Sequence, residues 1–224
     1  MNIFVKRSLS AVILAPPVLM VLYLGGSVFF GFLCVAMAIA VYEWSRMALK
    51  LPRKMQSAVI WILGCIYIAM AFYCIYEIRQ NHEILCVALL LSIWGSDIGG
   101  YIFGKFIGGL KMAPKISPNK TWSGLFGACF IPGLIMVGMG VFWFGGVWDV
   151  NMVLLGTSGV IVGLVGQAGD LIISRMKRAV AMKDTGNLIP GHGGILDRID
   201  ALLLVFLVFW ALTTMEMMTW PFVQ

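Results

Sequence analysis

ALLLVFLVFWALTTM, Ala201–Met215, is one unbroken apolar run. It does not alternate between apolar and polar residues, so it does not read as a half-buried strand. It reads as a helix. Directly before it stands KDTGNLIPGHGGILDRID, Lys183–Asp200, which gathers Lys183, Asp184, Asp197, Arg198 and Asp200 with His192 and four glycines. So much charge and glycine beside a bilayer-length run needs a reason.

Composition decides the solvent of that helix. The chain has 224 residues, 61% hydrophobic and 12% charged, with a mean hydropathy of +0.96. A soluble globular chain carries about 25% charged residues. A compact fold of this length cannot hide so much apolar surface from water, so lipid must cover it. The reading is an all-α integral membrane protein, a polytopic helix bundle. Continuous rather than alternating apolar runs exclude a closed barrel.

A spanning helix needs about 20 mostly apolar residues. Seven candidates appear, at about 8–24, 28–45, 57–76, 84–104, 122–144, 152–174 and 199–219. Gly25–Ser27 separates the first two, and Pro16-Pro17 distorts the first, so a re-entrant pair would reduce the count to six. Lys6-Arg7 before the first apolar stretch has the outline of a signal peptide. It lacks a convincing small-residue cleavage site, and the stretch is read as a retained helix. Residues 1–83 form an N-terminal set of helices, and 84–224 carry the polar segments.

With seven spans and an inside N-terminus, every one of the 16 lysines and arginines except Arg79 falls on the inner side. That division follows the positive-inside rule. It places the N-terminus and Lys183–Asp200 in the cytoplasm, and it accounts for the +6 net charge without nucleic acid. The five scattered cysteines read as small hydrophobes, and two histidines without a Cys/His cluster argue against zinc.

Topology does not explain the acids. Asp97, Asp170 and Asp197 stand within or at the edge of spans. A carboxylate at a span centre costs about 2.5–3.5 kcal/mol on insertion scales, less near the interface. Such residues face wet, protein-lined cavities or form buried ion pairs. Gly163, Gln167, Asp170, Ser174 and Lys177 recur at steps of four and three, one polar stripe on a helix. Asp97 and Tyr101 lie one turn apart, and Gly100, Gly104 and Gly108 continue that side, as a helix-packing surface or as part of a site.

GKFIGGLKMAPKISPNKT, Gly104–Thr121, sets Lys105, Lys111, Lys115 and Lys120 among glycines, prolines and Ser117. It is not a Walker A loop. It suits either anionic lipid headgroups or a bound phosphate. Carboxylates beside lysines, arginines and glycine-rich backbone suit a nucleotide held with Mg²⁺, which takes one or two carboxylates plus substrate phosphates.

Ser174–Asp200, SRMKRAVAMKDTGNLIPGHGGILDRID, resembles the signature of phosphatidate cytidylyltransferases, or CDP-diacylglycerol synthases. The matching elements are S-x-x-K-R, K-D and P-x-H-G-G-x-x-D-R-x-D. Upstream, DIGGYIFGKFIGGLKMAPKISPNKTW resembles the family's other conserved block, and the likeness covers about residues 94–205. Ser123 departs from the pattern, because many relatives carry an acidic or amide residue there. The chain is also shorter than many relatives at its N-terminus.

The resemblance implies that CTP and phosphatidic acid give CDP-diacylglycerol and pyrophosphate, in phospholipid biosynthesis at a bacterial inner (cytoplasmic) membrane. It implies Mg²⁺ held by Asp170 and Asp197, a second cation being left open, and a homodimer among membrane lipids. Lys177, Arg178, Lys183 and Arg198 would neutralise phosphates. Ser117, Lys120 and Thr121 would hold nucleotide or lipid phosphate, with Asp97, Tyr101 and Ser174 at the cavity. Asp184 and Asp200 would be ligands or orienters. His192 is a phosphate donor or a backbone-satisfied turn residue. Gly193 and Gly194 let the chain pass close to phosphate. The rivals are a CTP-dependent lipid-alcohol kinase, which would release CDP, and a transporter.

Overall fold

The computed structural model describes residues 16–144, 151–186 and 193–215. Among these residues seven helices stand where apolar runs were expected. The described part of α1 covers residues 16–24. It is followed by α2 Gly26–Ala48, α3 Lys54–Asn81, α4 Glu83–Phe106, α5 Trp122–Phe144, α6 Met152–Ala179 and α7 Leu196–Thr214. Five of them (α2, α3, α4, α6 and α5 over Trp122–Trp143) are long and apolar enough to cross a membrane. α7 carries Asp197, Arg198 and Asp200 in its opening turns and becomes apolar only beyond them.

The fold is all-α with one small addition. Part of the lysine-rich segment read as a loop forms an antiparallel hairpin of β1 Lys111–Ala113 and β2 Ser117–Thr121, with Lys111 opposite Thr121 and Ala113 opposite Ser117. The break between α1 and α2 is a backbone event. Gly25 and Gly26 both have positive φ, 59° and 51°, a conformation that glycine adopts without steric cost.

Missing side chains let α4, α5 and α6 approach closely. A Cβ on Gly99 would run into the Gly127 carbonyl of α5, and one on Gly163 of α6 into the α5 backbone at Ala128–Cys129. Gly104 lies against Thr121 and Gly124. The glycines that continue the Asp97 side of α4 up to Gly104 therefore serve helix packing. Gly108 stands in open space with φ +68°.

Consecutive helices run up and down, so the ends of α2, α4 and α6 and the start of α7 meet at one end of the bundle. Long-range bonds fix this end. Lys50 Nζ reaches Met182 Sδ at 3.5 Å, and Arg178 Nε donates to the Ile116 carbonyl of the hairpin at 3.1 Å. The apolar core beneath includes Met47, Ile68, Leu85, Leu89, Leu196, Phe206 and Phe209. All five cysteines are free.

Candidate active site

A cavity of about 560 Å³ opens at that end, lined by Asp97, Tyr101, Ser117, Asp170, Lys177, Asp184, Asp197, Arg198 and Asp200 among others. Residues separated by as much as a hundred positions thus meet in one space. Apolar walls come from Ile93, Trp94, Val162 and Leu202.

The stripe on α6 supplies one wall. Lys120, at the end of the hairpin, lies 2.5 Å from Asp170 Oδ2 and donates to Gln167 Oε1 at 2.7 Å. Ser174 Oγ donates to Asp170 Oδ1 at 3.0 Å. Asp200 lines the same cavity as Asp170, and its Oδ1 accepts from the Ala201 N–H at 2.8 Å. One turn further along α6, buried Lys177 meets Asp197 Oδ1 at 2.6 Å.

Asp197 is held by the protein at both oxygens. Its Oδ2 accepts from the Thr185 N–H at 2.7 Å, the Thr185 hydroxyl at 3.0 Å and the Gly194 N–H at 3.1 Å. Burial opposes its ionisation, but the Lys177 hydrogen bond and the two backbone N–H groups outweigh burial and hold the carboxyl below the usual carboxylate range. A Cβ on Gly193, where φ is +82°, would lie 2.7 Å from Asp197 Oδ2. In the described structure Gly193 thus makes room for a carboxylate.

Other expected residues are placed differently. Thr121 is buried, and its hydroxyl caps α5 by accepting from the Gly124 N–H at 3.1 Å. Arg178 is bound to the Ile116 and Met182 carbonyls rather than lining the cavity. Lys183 is exposed and also absent from the lining. Ser123, the departure from the family pattern, bonds the Gly108 carbonyl and the Thr121 hydroxyl. His192 lies outside the described residues. Sequence reasoning missed Glu43 and Thr185. Glu43 is an acid at the end of a span with 2% exposure, and only its charge in an apolar run could have drawn notice.

Metal-binding capacity is limited and specific. Among the described residues no three His, Cys, Asp or Glu side chains form a metal-binding group. Asp170 and Asp200 nevertheless line one cavity. Two carboxylates that face one space repel each other, and a cation between them would relieve that repulsion. That pair fits Mg²⁺ bound by one or two carboxylates and completed by substrate phosphates, not a cage made by protein alone.

The profile of the cytidylyltransferase family matches residues 49–215. The chain belongs to the cytidylyltransferase family. The matched stretch contains every cavity-lining residue named above. Among its relatives, the phosphatidate cytidylyltransferase of Staphylococcus aureus (strain COL) is 37% identical over 174 residues, 76% of this chain and 64% of that protein. That of Staphylococcus epidermidis (strain ATCC 12228 / FDA PCI 1200) is 35% identical over 171 residues, again 76% and 64%. That of Staphylococcus saprophyticus is 35% identical over 144 residues, 64% of this chain and 54% of that protein. This family member therefore aligns with somewhat less than two thirds of the length of these curated relatives.

Proposed function

We propose that the chain is a phosphatidate cytidylyltransferase, joining CTP and phosphatidic acid into CDP-diacylglycerol with release of pyrophosphate. The observation that carries this reading is the convergence of Asp97, Asp170, Asp197 and Asp200 with Lys177 and Arg198 on one cavity at the basic end of the helix bundle. The names of the relatives agree with it.

The reaction asks little of a general base. A phosphate monoester has a second pKa of about 6, so phosphatidic acid arrives largely as the nucleophile. The barrier lies in bringing two polyanions together and in stabilising charge on the transferred group. Arg198 and Lys120 supply positive charge at the cavity and its rim. Lys177 is pinned by Asp197 at a fixed place, so its charge needs no reorganisation during reaction.

Asp170, with Asp200 beside it, would hold Mg²⁺. Asp197 would be the further carboxylate, its oxygens accepting from Lys177, Thr185 and Gly194 as those of Asp170 take Lys120 and Ser174. Bound there, the metal would neutralise triphosphate charge. Acyl chains would stay in lipid. The basic residues gathered at this end favour the cytoplasmic side of a bacterial cytoplasmic membrane for it, with an inside N-terminus. A homodimer is the proposed assembly.

The test uses purified chain in detergent with labelled CTP and phosphatidic acid, with and without Mg²⁺. Labelled lipid and one pyrophosphate per lipid product support the reading. Release of CDP with phosphate transfer to a lipid alcohol would make it a kinase instead.

A further inference from the structure

The start of α7 lacks a cap of its own. Ile195, which precedes its first turn, contributes no capping side chain. Helix starts expose N–H groups that need acceptors. Here the acceptor comes from α2. Glu43 Oε1 accepts from the Ile195 N–H at 3.0 Å, and Oε2 from the Leu196 N–H at 2.9 Å. Oε2 also lies 2.8 Å from the Thr185 hydroxyl. Glu43 stands before residue 49, where the family match begins.

The surrounding backbone is shaped to this carboxylate. A Cβ on Gly186 would lie 2.7 Å from Glu43 Oε1, and one on Gly194 would collide with both Glu43 oxygens. Thr185 links Glu43 to the cavity, because its hydroxyl is within reach of both Glu43 Oε2 and Asp197 Oδ2. A hydroxyl has one proton to donate, so it ties the two carboxylates while bonding one at a time. Asp197 in turn holds Lys177.

We propose that Glu43 is a positioning residue: by capping α7 and gripping Thr185, its carboxylate sets where Asp197, Arg198 and Asp200 stand in the cavity. This role rests on the reading of the cavity as a cytidylyltransferase site. An anionic cap also favours a helix N-terminus electrostatically. Gln at position 43 offers one acceptor oxygen where the carboxylate offers two, and turns an amide N–H towards a donor.

Full-length Glu43→Gln, Thr185→Val and Thr185→Ser proteins are purified in the same detergent. Amide hydrogen exchange is followed at Ile195 and Leu196, and kcat and KM for CTP are measured per folded molecule. Glu43→Gln is expected to speed exchange at those two amides and to lower kcat by about 10- to 100-fold, a cost typical of slight misplacement. KM for CTP should change less. Thr185→Val should lower kcat in the same direction, and Thr185→Ser should restore it. Wild-type kcat per folded molecule and unchanged exchange in Glu43→Gln would overturn the proposal, even if the variant melts earlier. If Glu43→Gln does not fold, the Thr185 pair decides: equal, wild-type kcat in both sinks it. If the wild-type protein makes no CDP-diacylglycerol, the cytidylyltransferase reading fails, while the exchange rates still decide the clamp.

Discussion

Lys177→Met asks whether the Lys177–Asp197 pair is a mutual necessity. The two charged groups approach to 2.6 Å, with side chains 10% and 5% exposed. At an effective dielectric of about 20 their gross attraction is about 6 kcal/mol, opposed by the cost of removing both from water. Removing one partner of a buried pair leaves an uncompensated charge and costs about 3–5 kcal/mol. Asp197 retains its bonds from Thr185 and Gly194, so a loss of about 3 kcal/mol is expected. Lys177→Met/Asp197→Asn removes both charges and keeps one acceptor oxygen. Its loss should be about 1 kcal/mol, although turnover stays low.

The assay is unfolding of both proteins in one detergent across pH. In the wild type the Asp197 pKa is depressed below its ordinary 3.8. Its stabilisation is present above that value and is lost as pH falls through the lower folded value. In Lys177→Met the lysine hydrogen bond is gone and burial remains, so the carboxyl protonates at higher pH than in the wild type. The deficit of the single variant is therefore largest near neutrality and shrinks as the medium is acidified. A double variant no more stable than the single one, or a deficit that grows in acid, would refute the reasoning.

Lys120→Met removes a cation shared by Asp170 and Gln167; kcat is expected to fall by about 100-fold, read as labelled lipid product. Gly163→Ala places a methyl group in the α5 backbone and should cost about 1–3 kcal/mol by overpacking. Gly156→Ala, whose nearest neighbour lies at 3.9 Å, serves as the control in the same thermal melt. Chelation of divalent ions should stop lipid product formation, and added Mg²⁺ should restore it. Asp170→Asn should need more Mg²⁺ for half-maximal rate.

What the sequence disclosed depended on whether chemistry was carried by side chains or by backbone. Gln167, Asp170, Ser174 and Lys177 sit on one helix at regular spacing, so periodicity alone groups them, and the cavity keeps Gln167, Asp170 and Lys177 together. Apolar runs likewise located the helices to within a few residues. Partners across helices were not legible. Nothing in the order of residues says that Lys120 meets Asp170 or that Lys177 meets Asp197. Thr121 matched a family block by type, yet its hydroxyl is taken by the first turn of α5. The hairpin over Lys111–Thr121 was hidden because Pro114, Gly109 and scattered lysines read as loop. Glu43 was the least visible, because two of its three partners are backbone N–H groups, which every residue except proline carries.

The grip of Glu43 on α7 has a consequence for the order of synthesis. The carboxylate and the Ile195 N–H it binds are 152 residues apart. At about 5–20 residues per second, Glu43 leaves the ribosome roughly 8–30 s before the Ile195 N–H does. Through that interval α2 must keep an acid at its end in contact with water or the insertion machinery. The arrival of the last helix then gives that acid its two backbone donors, so a chain halted before Ile195 would leave it without them.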